Sequence, residues 1–204
     1  MANTQTPDHI VIAHCWEGVP GYAFYPWVKS QLEAKPGGKY RVDIPAMPDT
    51  DHPRLAPWVQ TLRQAMRPHA PGGRLFVIAH SLGAITTMHC LAADPDLVLD
   101  GLVIVAGNLT AVGFETEIGE FFRGPLDISA IVAGQVRRPP QLIYSHDDPW
   151  VTFASEAVTM QRLTNGQLHE MDGLGHFSGP LSDPSSCTEL PEVVTAIEKL
   201  ADQN

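Results

Sequence analysis

Short apolar runs alternate along the chain with stretches whose apolar residues recur at helical spacing. His9–Cys15 (HIVIAHC) is β-branched and almost wholly apolar, the pattern of a strand covered on both faces. Tyr25–Lys35 places Trp27, Val28 and Leu32 on one helical stripe, and Lys39–Pro45 reads as a second strand. Leu55–Arg67 is helical through Trp58, Val59, Leu62 and Met66, with Pro53 and Pro57 crowding its start and Pro68 at its end. Arg74–His80 is a third strand, followed at once by a helix over Leu82–Ala93. Asp100–Ala106 and Gln141–His146 continue the strands, Phe153–Leu163 is helical, and Gln167–Met171 is a short last strand. Pro191–Ala201 closes the chain as a helix striped by Val193, Val194, Ile197 and Leu200.

This alternation predicts an α/β fold: a mostly parallel central sheet of about six strands with helices on both faces and right-handed crossovers. One segment breaks the rhythm. Residues 108–138 scatter Gly113, Gly119, Gly124, Pro125 and Gly134 among Phe114, Phe121 and Phe122. It reads as an irregular insertion over the strand ends, with a short helix at 115–122. No repeat, low-complexity tract or linker divides the chain, so residues 1–204 are expected to form one domain with no large cap.

Composition narrows the partners. At 44% hydrophobic and 18% charged, the 204 residues suit an ordinary globular chain that buries its core without staples. Cys15, Cys90 and Cys187 make neither a disulfide framework nor a CxxC metal knuckle. Met1–Asp8 has no basic or apolar region of a signal peptide, and the apolar runs are far shorter than the roughly 20 residues a membrane helix needs. A cytoplasmic location is expected. The net charge of −10, with no basic cluster beyond Arg137-Arg138, argues against nucleic acid and anionic membranes as partners. No G-x-G-x-x-G follows the first strand, so a dinucleotide cofactor is not expected.

The chemistry is concentrated in Ala79-His80-Ser81-Leu82-Gly83. A strand that turns abruptly into a helix lifts a serine above the sheet, and only small residues fit two places either side of it. Ala79 and Gly83 meet that demand. Serine needs a base, and the base needs an orienting acid, in the chain order serine, acid, histidine. Of nine histidines, His89, His146, His169 and His176 follow Ser81. His89 lies about two turns along the helix, and His169 lies inside a strand pattern. His146 ends a strand directly ahead of two acids. His176, in the glycine-rich Gly173-Leu174-Gly175-His176-Phe177, is the expected base. For the acid, His146-Asp147-Asp148-Pro149-Trp150-Val151 follows a strand on the same edge as the elbow. Asp148 fits an Asp-x-x-Val turn, Asp147 is expected to cap or face solvent, and Asp172 is too close in sequence to His176. Leu82 N–H, at the helix start, and Trp16 N–H, in the loop after the first strand, are expected to form an oxyanion hole, with His14 bracing that loop. Tyr22, Phe24, Phe114, Trp150 and Phe177 are expected to line an apolar substrate pocket.

At this point the chain resembles a known family, the small serine hydrolases typified by retinoblastoma-binding protein nine and the YdeN-like proteins. The likeness rests on Gly21–Leu32, Met47-Pro48-Asp49, the elbow with Ala84-Ile85, Ser145–Pro149 and Gly175-His176-Phe177. It implies a capless α/β-hydrolase fold with Ser81, Asp148 and His176 as its triad. It also implies hydrolysis of a small ester- or amide-like acyl substrate without metal or cofactor. Two residues depart from the family pattern. Ala79 stands for the first glycine of the elbow, and Cys15 stands for a glycine in the first loop, where its Cβ would narrow the oxyanion hole. A binding module that keeps the fold with little catalysis is the alternative reading.

Overall fold

The computed structural model describes residues 6–67, 73–111, 113–179 and 186–203. Six parallel strands form one sheet in the order β2-β1-β3-β4-β5-β6. They are β1 (Asp8–Ala13), β2 (Tyr40–Asp43), β3 (Leu75–His80), β4 (Gly101–Val105), β5 (Gln141–Ser145) and β6 (Gln167–Met171). The helices are α1 (Tyr25–Glu33), α2 (Leu55–Met66), α3 (Leu82–Ala92), α4 (Ile128–Gln135), α5 (Val158–Thr164) and α6 (Pro191–Asp202). Pro68, expected to end α2, and Met1–Gln5 lie outside the described residues.

The two-residue period of the strands divides the apolar residues between two cores. Val11, Val77, Ile104 and Leu142 face α2, α3, α4 and α5 through Trp58, Ile85, Val132 and Met160. Ile10, Phe76, Val103 and Ile143 face α1 and α6 through Val28, Val193 and Ile197. Helices on both faces leave the central strands buried throughout, which is why β1 and β3 read as continuous apolar runs.

Two expectations for the 108–138 segment are corrected. The helix expected over 115–122 is confined to a single 3₁₀ turn at Gly119–Phe122. Ile128–Gln135, read as irregular, is an α-helix. Asp127 caps it, accepting the Ala130 N–H at 3.0 Å, and Ile128 and Val132 bury into the first core. That burial overrides the helix weakening of Gly134. The helical stretch after β5 also differs, opening with a π-turn at Phe153–Ala157 before α5.

The strand order reverses between β1 and β3, the neighbours on either side of the first crossover. A crevice at the C-terminal edge of a parallel sheet opens at such a point. The loop after β1 and the elbow after β3 both emerge there. Among the described residues, no helix is long and apolar enough to cross a membrane.

Candidate active site

Ser81 is the single residue between β3 and α3. Its backbone takes φ 52° and ψ −119°, a conformation that costs a non-glycine residue roughly 1–3 kcal/mol. The surroundings hold it there. Its N–H donates to the Val105 carbonyl at 2.9 Å, and its carbonyl accepts the Ala84 N–H at 2.9 Å. Gly83 packs so tightly under β1 that a Cβ would stand 2.2 Å from the Ala13 carbonyl oxygen.

β6 ends at Met171, and Gly173 and Gly175, both with positive φ, turn the chain back over the sheet. His176 Nε2 then lies 2.8 Å from Ser81 Oγ, and His176 Nδ1 lies 2.7 Å from Asp148 Oδ2. The Asp148 side chain is fully buried, and its other oxygen accepts the Trp150 and Val151 N–H groups at 2.8 and 2.9 Å. Asp148-Pro149-Trp150-Val151 is therefore a carboxylate-closed turn that fixes the acid toward the imidazole. The three residues expected from the sequence are brought together.

Asp147 is exposed, as expected, and it also has a structural task. It accepts the Gly173 N–H at 2.9 Å, the Gly175 N–H at 3.3 Å and the Ser145 hydroxyl. It thus fastens the loop that carries His176. The Ser145 hydroxyl, helped by these amides, holds the Asp147 carboxyl below its usual value.

The loop after β1 is pinned at both faces of one residue. The Cys15 carbonyl accepts from His14 Nδ1 at 2.9 Å and from the Gly18 N–H at 3.1 Å. His14 Nε2 in turn accepts the Met47 N–H at 3.1 Å. His14 braces the loop as the sequence suggested. The Cys15 N–H donates to the Tyr25 hydroxyl at 3.1 Å and is therefore occupied. In a trans peptide the C=O and N–H point opposite ways, so anchoring the Cys15 carbonyl fixes the direction of the Trp16 N–H. The Cys15 thiol is buried, and burial pushes it up to about 11, which leaves it an inert thiol at neutral pH.

Ser81, His176, Trp16 and Leu82 share one cavity of about 580 Å³, within the range of small-molecule sites. Phe114 packs edge-on against Trp16 at 5.3 Å and against Trp150 at 5.4 Å, forming a continuous aromatic wall. Tyr22 also lines it, and its hydroxyl accepts the Gly179 N–H at 2.8 Å. Phe24 and Phe177 do not line it. Both are fully buried in the core under α1 and α6, where Phe24 packs on Tyr25 and His80. Phe177 follows His176 and Phe24 lies two places after Tyr22, but each side chain turns into the protein. Sequence reasoning missed the polar part of the wall, which includes Glu17, Asn108 and Glu156. Glu156 accepts the Leu109 N–H and the Thr110 hydroxyl, each at 2.6 Å, tying the loop after β4 to the π-turn. The usable signal for Asn108 was its position just past a strand's C-terminal end.

Known proteins resemble this chain in sequence and in fold. The family model for serine hydrolases matches residues 10–196. YdeN of Bacillus subtilis strain 168, described as a hydrolase, is 27% identical over 169 residues, covering 82% of this chain and 85% of the relative. The YdeN crystal structure superposes with a TM-score of 0.82 at 24% identity, over 96% of this chain and 100% of that one. Est1E from Butyrivibrio proteoclasticus, solved also with ferulic acid bound, shares the fold at a TM-score of 0.69 and 13% identity, over 98% and 88% of the two chains.

Proposed function

The chain belongs to the serine hydrolase family, and from that premise we propose that it cleaves a small carboxylic ester through an acyl-enzyme on Ser81. The reading rests on one observation: the hydrogen-bonded series Ser81 Oγ, His176 and Asp148 at the floor of a substrate-sized cavity.

In this account, the Asp148 carboxylate accepts the Nδ1–H of His176, which leaves Nε2 as the acceptor for the Ser81 proton. Ser81 Oγ attacks the acyl carbon as that proton moves to Nε2. The carbonyl oxygen becomes an oxyanion between the Leu82 and Trp16 N–H groups. Leu82 offers its amide because it is the first residue of α3, where helix N–H groups have no partner within the helix. Trp16 is chosen over Cys15 because the Cys15 N–H is already donated to Tyr25. Each such donor is worth about 3 kcal/mol of barrier. His176 then returns the proton to the leaving alcohol, and the ester bond breaks. Water then attacks the acyl carbon as His176 takes its proton, the bond between the acyl carbon and Ser81 Oγ breaks, and His176 returns the proton to Oγ as the acid leaves.

The aromatic wall of Trp16, Phe114 and Trp150 supports an apolar or aromatic acyl group. The cavity wall carries Glu17 and Glu156 and, among the described residues, no lysine or arginine, which supports an uncharged acyl group over an anionic one.

The test is turnover of a nitrophenyl ester series from acetyl to benzoyl by the wild type and by Ser81→Ala. The account expects hydrolysis by the wild type and loss of about 10³-fold or more in the variant. Equal turnover by both proteins would remove Ser81 from the reaction.

A further inference from the structure

Tyr25 and His80 are both fully buried and neither lines the cavity, yet they connect two segments that do. Tyr25 Oη lies 2.6 Å from His80 Nδ1 and 3.1 Å from the Cys15 nitrogen. His80 Nε2 lies 2.8 Å from the main-chain carbonyl oxygen of His176. The proton positions follow from these partners. A carbonyl only accepts, so His80 carries its proton on Nε2 and donates it to His176. Nδ1 is then an acceptor, the Tyr25 O–H donates to it, and a lone pair of the phenol takes the Cys15 N–H. With the buried imidazole neutral, no other assignment satisfies all three contacts.

We propose that Tyr25 and His80 are positioning residues, a buried strut that sets the distance between the Cys15–Trp16 oxyanion loop and the backbone of His176. The proposal rests on the roles given above to Ser81, His176 and Trp16. One end of the strut grips the amide beside the oxyanion donor, and the other grips the peptide of the base itself. His80 is adjacent to Ser81 in the chain, so the strut passes beneath the nucleophile. Its rigidity follows from its neutrality. Burial pushes the Tyr25 phenol well above its usual value of 10 and the His80 imidazole well below 6.5, so neither ionises near neutral pH. Phe24 packs edge-on against Tyr25 at 4.8 Å and holds the phenol in place. A structural requirement alone would need these buried polar groups paired, but not paired across the two loops that carry the chemistry.

The strut acts on placement in the transition state, so its loss should lower kcat with little change in KM. Tyr25→Phe removes both phenol hydrogen bonds and keeps the ring. It is expected to fold and to lose about 10- to 100-fold in kcat, with KM within about three-fold. His80→Gln keeps a donor for the His176 carbonyl and should retain more activity than His80→Leu. Combining Tyr25→Phe with His80→Leu should cost no more than His80→Leu alone, because one strut is broken once. In the wild type, nitrogen-15 imidazole spectra should show His80 neutral with its proton on Nε2. A folded Tyr25→Phe with wild-type kcat, or losses that multiply in the double variant, overturns the proposal. A proton on His80 Nδ1 does so even if no variant folds. Failure of the underlying reading shows separately, as full turnover by Ser81→Ala.

Discussion

His176 Nε2 stands 2.8 Å from Ser81 Oγ, although 95 positions separate the two residues in the chain. Neither residue reaches for the other by flexibility. Ser81 is fixed by a strained turn between β3 and α3, and His176 by a loop whose amides are gathered by Asp147. The contact is the meeting of two independently built corners on one edge of a sheet.

The first consequence separates the two adjacent acids. Asp148→Asn should lower kcat by about 10³- to 10⁴-fold, because its amide no longer holds the imidazole in the required tautomer. Asp147→Ala should cost only about 10-fold, through a looser His176 loop rather than a lost proton partner. Steady-state kinetics of the two variants check this. Equal losses would mean that the roles of the two acids are not distinct.

The elbow makes a stability prediction. Gly83→Ala places a methyl where the Ala13 carbonyl stands, 2.2 Å away, and should cost about 3 kcal/mol or more. Gly134→Ala, inside α4 with nothing near its added Cβ, should instead stabilise by about 0.5–1 kcal/mol. Urea denaturation of the two variants reads both signs.

Buried His80 gives a pH dependence of stability. Burial, with the neighbouring His176 as a lesser cause, holds its folded value well below the ordinary 6.5. Below pH 6.5 the unfolded chain therefore binds a proton that the native His80 refuses. The native state keeps its full margin above pH 6.5 and loses it as the pH falls toward the depressed folded value, by up to about 1.4 kcal/mol per pH unit. His14, lowered by burial against the opposing pull of its bond to Cys15, acts in the same direction. Unfolding free energies from pH 7.5 to 5.5 should fall less steeply in His80→Gln than in the wild type. Parallel slopes would contradict this origin.

The charge of the cavity wall predicts selectivity. An ester bearing a carboxylate on its acyl chain should be turned over at least about 10-fold less efficiently than its neutral isostere, from repulsion by Glu17 and Glu156. Glu17→Gln should narrow that gap without raising turnover of the neutral ester. The ratio of kcat/KM for the ester pair, in wild type and variant, is the measurement.

How far the sequence could be read depends on the range of the interactions involved. The elbow was legible because its whole signal is local: an apolar strand, Ala79, Ser81, Gly83 and a helix without a gap. The sheet was legible for a similar reason, since burial on both faces leaves unbroken apolar runs in β1 and β3. Asp148 was legible from the turn that its own carboxylate closes on Trp150 and Val151. Phe24 and Phe177 were misplaced because closeness in sequence to a cavity residue does not fix the direction of a side chain, and both turn inward. Helix α4 was missed because its stabilisation comes from packing on distant elements, while its own Gly134 argues against it. His80 did leave a trace, as the one histidine in an otherwise apolar buried strand, but its partners Tyr25 and His176 are joined only by the fold.

The central claim is that Ser81 is the nucleophile, and covalent trapping tests it most directly. The protein is treated with a fluorophosphonate and the adduct located by peptide mass mapping, beside His176→Ala and Ser81→Ala. The account predicts one adduct, on Ser81, formed quickly in the wild type, at least about 10³-fold more slowly in His176→Ala, and not at all in Ser81→Ala. An adduct on another residue, or equal labelling of Ser81→Ala, would contradict it.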